Sequence, residues 1–314
     1  MTEKIPVQAL PKELSTPLFT VIFILACFFP FSSAHGEKAN RRLHAFVSIP
    51  PQTYFVSKVG GPDIVIDTLI GPGKNHDTFS PSPEQITALS SADVFFQIGM
   101  PFERSVAEKI RGAQNHLTMV DTSKGIPLRR MEVSHHHGHG HEDHGQHGAE
   151  GYDPHTWLDP MNVKQQAITI RDALIAIDPE GKALYTENCR QFMAELDLLH
   201  KDIAHMLEPV KGRVMLVFHP AYGYFTDAYG LSQWAVEVEG KAPKARALAQ
   251  LIKAAKSDNQ RVIFVQNEFD RHIAEKLAEA INGHTVILDP LNGDYEANLR
   301  SMARAVLTVL HRDQ

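Results

Sequence analysis

Over most of its length the chain alternates short runs of β-branched and aromatic residues with longer stretches of helical periodicity. Residues 44–50, 63–70, 93–99 and 117–121 read as strands, and a second set follows at 213–218, 231–236, 261–266 and 285–288. Strands separated by helical patterns in this way form parallel βα units. Because the rhythm occurs twice, the predicted fold class is α/β, with two parallel-sheet lobes. Between the two sets, residues 179–207 carry Leu184, Phe192, Leu196, Leu199, Ile203 and Met206 mostly at three- and four-residue spacings, the mark of one amphipathic helix. Asp178-Pro179 supplies a start signal and Glu208-Pro209 a stop. At about 1.5 Å per residue such a helix is a stiff strut of about 40 Å, so the closure between lobes is expected to be small. The expected division is a lobe over 35–178, the connecting helix over 179–208 and a second lobe over 209–314.

Two segments break the alternation. Residues 17–31 are apolar for roughly 15 positions, short of the about 20 that a membrane span needs. They follow Lys4 and Lys12 and lead into Ser32-Ser33-Ala34, so residues 1–34 read as a signal peptide and the product as periplasmic. A lipid anchor at Cys27 is the competing reading, disfavoured because the apolar run continues through Phe28, Phe29 and Phe31. Removal of the signal leaves Cys189 as the lone thiol, without a disulfide partner, and its place in the predicted helix makes it a core residue. The second segment, 134–151, is histidine, glycine and acidic residues with nothing apolar to bury, and reads as a loop.

A chain of 314 residues has ample apolar content for two cores, and its formal charge of −6 with no basic run disfavours nucleic acid as a partner. Four positions then stand out as possible metal ligands. His76 lies in the turn-rich run Gly71-Pro72-Gly73-Lys74-Asn75-His76-Asp77, His155 in Asp153-Pro154-His155-Thr156-Trp157, His219 in Phe218-His219-Pro220, and Asp289 in Leu288-Asp289-Pro290. Taken singly, a histidine beside proline is more often a hydrogen-bonded turn residue, and Asp-Pro is an ordinary loop start. Three of the four, however, follow the carboxyl ends of predicted strands, where open α/β sheets bind their ligands. Two fall in each lobe, so one ion in the cleft could be gripped from both sides.

In these four motifs and in the long helix the chain resembles the ABC-importer solute-binding proteins specific for zinc and manganese. The resemblance implies that His76, His155, His219 and Asp289 are the metal ligands, and that the partner is a membrane permease. Asn75 stands where some zinc members have an acidic residue, which leaves Asp289 as the expected fourth ligand; a second-lobe disulfide of some members cannot form here. Three imidazoles and a carboxylate suit tetrahedral Zn²⁺, whereas Mn²⁺ prefers more oxygen, and manganese-type members carry a carboxylate where this chain has His219. A manganese or iron carrier of the same family is the alternative.

The histidine-rich segment offers His135, His136, His137, His139, His141, His144 and His147, expected to bind further zinc weakly; the plain alternative is a solvated insert with no role. Its His139-Gly140-His141-Glu142-Asp143-His144 also fits the pattern of metallo-β-lactamase-like hydrolases. Catalytic zinc needs a rigid scaffold around its ligands, which this low-complexity setting does not offer, so the expectation is a monomeric carrier and not an enzyme.

Overall fold

The computed structural model describes residues 42–71, 73–111, 116–131, 151–237, 245–269 and 271–312. The expected signal peptide, Cys27 and the histidines from His135 to His147 lie outside them. Residues 42–314 form one compact unit containing two sheets. Strands β1 (His44–Val47), β2 (Val65–Thr68), β3 (Val94–Gln97) and β4 (Thr118–Asp121) pair in parallel in the order β2-β1-β3-β4. The second sheet repeats that winding as β6-β5-β7-β8, from β5 (Val214–Val217), β6 (Ser232–Ala235), β7 (Val262–Val265) and β8 (His284–Ile287). Seven strands fall inside their predicted runs, and β8 begins one residue early. Burial explains the order, because the apolar runs Val-Phe-Phe of β3 and Val-Ile-Phe-Val of β7 are covered on both faces, while Val-Ile-Asp-Thr of β2 is half exposed at an edge.

Helices α1 (Pro50–Gly60), α2 (Pro83–Ser90) and α3 (Pro101–Arg111) belong to the first sheet. Each begins with proline, whose missing N–H costs nothing in the first helical turn. Helix α4 (Pro160–Ile177) is capped by Asp159, whose carboxylate accepts the Met161 amide at 2.9 Å. The long helix is α5 (Lys182–Leu207), and α6 (Gly223–Tyr229), α7 (Ala245–Ser257), α8 (Arg271–Ala280) and α9 (Tyr295–Arg312) complete the set among the described residues.

Helix α5 differs from the expected strut in two ways. Residues Pro179–Gly181 form a separate 3₁₀ turn, tied by Tyr185 Oη donating to Asp178 Oδ2 at 2.7 Å; the Tyr185 ring occupies the space a Cβ at Gly181 would need. The buried stripe is Tyr185, Cys189, Phe192, Leu196, Leu199, Ile203 and Leu207, so Leu184, expected on it, points outward at 49% exposure. Rather than standing free between lobes, α5 lies against α1, α4 and α9. One continuous apolar core therefore runs from Phe46 and Phe95 under the first sheet, through Phe192 and Leu196, to Phe264 and Leu299. Cys189 is a buried part of it, as expected. A smaller cluster, including Leu216, Ile263, Leu251 and Leu277, packs α7 and α8 on the second sheet.

Where α5 crosses the first lobe, Phe192 meets Phe55 and Tyr54 at ring separations of 6.1 and 5.9 Å, and Tyr295 of α9 sits edge-on to Phe55 at 4.8 Å. Replacing Phe192 by alanine should cost about 3–5 kcal/mol. Since the core is continuous, urea should unfold both lobes in one transition. The emission of Trp157 and of Trp234, followed separately in single-tryptophan variants, should give the same midpoint; two midpoints would mean the lobes unfold independently.

Candidate metal centre

His76 lies in the loop after β2, in a turn set by Asn75, whose Oδ1 accepts the amides of Asp77 at 2.8 Å and Thr78 at 3.2 Å. His155 comes just before the 3₁₀ turn Thr156–Leu158, and His219 two residues past the end of β5. Their ring centroids form an almost equilateral triangle of 5.1, 5.3 and 5.4 Å, with the planes inclined at 86, 77 and 72°. All three are buried, and one nitrogen from each lies within 4.8 Å of the other two. Between His76 Nε2 and His155 Nε2 the distance is 3.0 Å. A tetrahedral ion with Zn–N bonds near 2.0–2.1 Å separates its ligand nitrogens by about 3.3 Å, so only a small adjustment is needed there.

The carboxylates behind the rings determine which nitrogen faces inward. Asp153 Oδ1 lies 2.7 Å from His155 Nδ1 and Glu237 Oε2 lies 2.8 Å from His219 Nδ1. A carboxylate accepts, so each Nδ1 carries the proton and each Nε2 keeps its lone pair. Asp153 is held in turn by Arg129 Nη1 at 3.3 Å and by the His155 amide at 2.9 Å. His219 Nε2 and His76 Nδ1 are buried without a hydrogen-bond partner. Phe269 stacks on the His219 ring at 4.9 Å and 22°, and Gln266 donates to the His219 carbonyl at 3.2 Å.

Burial holds His76 neutral, with a pKa well below the usual imidazole value; positive charge on His155 and His219 would act in the same sense. Glu268, from the loop after β7, has a buried side chain, and its carboxyl is pushed up to about 7, chiefly by burial and further by the Asp289 charge. Its Oε1 is 3.9 Å from His76 Nδ1 and has no hydrogen-bond partner.

Asp289 does not join the mutually close ligand atoms of the three histidines. Its Oδ1 accepts the Leu291 amide at 3.0 Å, and its charge reaches Glu268 and Tyr222. The carboxylate of Asp77 stands nearer, with oxygens 3.5 Å from His76 Nε2 and 3.5 Å from His219 Nδ1. Asp77 and His219 also line a cavity of about 710 Å³, together with Arg104, Asp121 and Tyr152. Met131 and Gly151, which bracket the histidine-rich segment, line it too, and the Met131 amide donates to the Gly151 carbonyl at 2.8 Å. Across the seam between lobes, Trp157 Nε1 donates to the Pro290 carbonyl and Tyr295 Oη to the Trp157 carbonyl, both at 2.8 Å, which pins the His155 loop to the Asp289 loop.

Residues 46–311 match the family described as zinc-uptake complex component A, periplasmic. The chain belongs to that family. Among its relatives, the high-affinity zinc uptake system protein ZnuA of Bacillus subtilis (strain 168) is 29% identical over 290 residues, covering 87% of this chain and 88% of the relative. A crystal structure of ZnuA superposes with a TM-score of 0.77 at 34% identity, covering 86% of this chain and 100% of that one. A zinc-bound deletion mutant of ZnuA gives 0.76 at the same 34% identity, covering 86% and 98%.

In this zinc-uptake family member the strand-end rule that marks His76, His219 and Asp289 applies equally to residues that their motifs do not mark. Glu237 follows β6, and Glu268 and Phe269 follow β7. Asp77 lies beside a predicted ligand within the turn-rich run, where nothing in the sequence distinguishes it from a turn residue. The seven histidines from His135 to His147 lie outside the described residues, so the structure neither gathers nor separates them.

The depressed pKa of His76 makes a signed prediction for the chelator-treated protein. The unfolded chain takes up a proton at His76 near pH 6.5 and the folded chain does not, so this residue's contribution to stability is intact above that pH and is lost as pH falls. Urea titrations of wild type and His76→Gln at several pH values should give a stability difference that declines by up to about 1.4 kcal/mol per pH unit below about pH 6.5. A difference independent of pH would show that His76 is as easily protonated folded as unfolded.

Proposed function

We propose that the protein is the extracytoplasmic binding component of an ABC-type importer, capturing Zn²⁺ in its interlobe cleft and passing it to a membrane permease. One observation carries the reading: three buried imidazoles converge with their nitrogens within 4.8 Å, two of them fixed by carboxylates with the lone pair on Nε2. Nitrogen-rich, near-tetrahedral surroundings suit zinc better than manganese or ferrous iron, which take more oxygen. His76, His155 and His219 supply the nitrogens. Asp289 is the proposed fourth ligand from the resemblance, with Asp77 the carboxylate whose position competes with it. The reading is of a carrier and not an enzyme, exported by residues 1–34 and acting as a monomer. No helix among the described residues is long and apolar enough to cross a membrane.

The histidine-rich residues His135, His136, His137, His139, His141, His144 and His147 are proposed as a weak zinc-gathering loop. Its stem closes through the Met131–Gly151 hydrogen bond at the cavity that reaches His219. Ions held there by mass action would be released next to the tight site.

Competitive titration of the metal-stripped protein should find one tight Zn²⁺ per chain, and Mn²⁺ should bind more weakly. His219→Glu should shift the Zn²⁺ to Mn²⁺ affinity ratio toward Mn²⁺, because a hard oxygen replaces an imidazole nitrogen; an unmoved ratio would remove His219 from the ligand set. Asp289→Ala should lose more zinc affinity than Asp77→Ala, and the reverse order would transfer the fourth position to Asp77.

Since the stem is already closed by a hydrogen bond, deleting residues 134–148 should leave the tight equivalent intact and abolish only additional weak ones, as read by calorimetry. Loss of the tight equivalent would place the primary ligands in the loop.

A further inference from the structure

Two of the three imidazoles have a carboxylate at hydrogen-bond distance behind them, His155 with Asp153 at 2.7 Å and His219 with Glu237 at 2.8 Å. Behind the third stands Glu268, 3.9 Å from His76 Nδ1. Both facing atoms, His76 Nδ1 and Glu268 Oε1, are buried and lack a hydrogen-bond partner. The side chains themselves are 0% and 2% exposed, so water does not satisfy them.

A buried acceptor beside a buried imidazole nitrogen stays apart from it only if no proton lies between them, and the proton positions account for this. With the His155 proton on Nδ1 against Asp153, His155 Nε2 can only accept, and the 3.0 Å contact to His76 Nε2 then requires the His76 proton to be on Nε2. His76 Nδ1 is left as a bare acceptor, and opposite the ionised carboxylate of Glu268 it meets only another acceptor; the pair stands at 3.9 Å. When His76 gives its Nε2 lone pair to an ion, its proton must reside on Nδ1, where it meets the oxygen of Glu268. No proton is gained or lost by the ring in this exchange.

We propose that Glu268 is the positioning partner of His76, closing onto Nδ1 only when Nε2 ligates an ion, so that one hydrogen bond between the lobes accompanies metal capture. His76 comes from the first lobe and Glu268 from the second, whereas Asp153 and Glu237 each serve a histidine of their own lobe. Glu268 thereby reports occupancy across the seam. Its loop neighbour Phe269 already stacks on His219, so one short segment after β7 bears on a ligand from each lobe. The inference rests on His76 being a ligand through Nε2.

The test compares wild type, Glu268→Ala and Glu268→Gln by chelator competition for Zn²⁺, by the visible spectrum of the Co²⁺-loaded proteins, and by ¹⁵N-edited NMR of the imidazoles. A wild type without a tight zinc site would refute the carrier reading itself, before any variant is compared. Given that site, Glu268→Ala should weaken zinc binding about 10–100-fold, the usual loss for a partner standing behind a ligand, with Co²⁺ bands like those of wild type. Glu268→Gln should lose less, because its amide oxygen still accepts from Nδ1–H. Zinc-loaded wild type should show His76 protonated on Nδ1, with that proton slow to exchange. Unchanged zinc affinity in Glu268→Ala overturns the proposal, and shifted Co²⁺ bands would overturn it by making Glu268 itself a ligand. If Glu268→Ala does not fold, the NMR of the wild type decides: a rapidly exchanging Nδ1 proton in the zinc-loaded form would reject the contact.

Discussion

Three imidazoles can share one small buried volume only if the rings there stay uncharged. A charged ring there would face two others and no water, and the low pKa of His76 expresses that exclusion. Neutrality alone does not prepare a site, because a neutral imidazole still carries one proton on one of two nitrogens. Asp153 and Glu237 settle the matter for His155 and His219 by holding the proton on the outer side. The arrangement is also unfavourable in isolation, since it buries carboxylates and leaves polar nitrogens unpaired. Such a cluster persists only in a scaffold whose apolar core is large enough to offset it.

That scaffold is the continuous core threaded by α5. The two sheets direct their strand ends toward a common region, and α1, α4 and α9 grip the long helix along its buried stripe. The seam beside the site is closed by side-chain donors on carbonyls, from Trp157 to Pro290 and from Tyr295 to Trp157. These bonds hold the His155 loop and the Asp289 loop at fixed separation. Positional accuracy at the histidines thus comes from backbone held at both sides of the cleft.

Much of this was legible in the sequence because the relevant signals are local. Short apolar runs and turn residues located the eight strands, and the strand-end rule pointed at His76, His219 and Asp289. His155 stood out through its motif. What escaped is what depends on the approach of segments distant in the chain. Glu237 and Glu268 look like ordinary surface acids until β6 and β7 place them against histidines 18 residues away or in the other lobe. Leu184 fits the helical period as well as Tyr185 does, and only packing against the first lobe decides between them. Asp289 is expected in the ligand set from its motif, and the fold adds a contact that the motif does not show, the Leu291 amide on its Oδ1.

The two sheets share one strand order, yet equivalent strand ends hold different atoms. Two residues past the first central strand stands Ile49, and two past its counterpart His219; the edge strands lead to His76 on one side and Glu237 on the other. As a result the first lobe brings two imidazoles to the cluster, while the second brings one imidazole and carries the carboxylates of Glu237, Glu268 and Asp289 in the loops after its strands. Taken alone, the second half would be an oxygen-dominated trap of the kind hard cations prefer, and the first would be a pair of nitrogens too few to enclose an ion. On the proposed ligand set, preference among metals would therefore be a property of neither repeat and would arise only where the two meet.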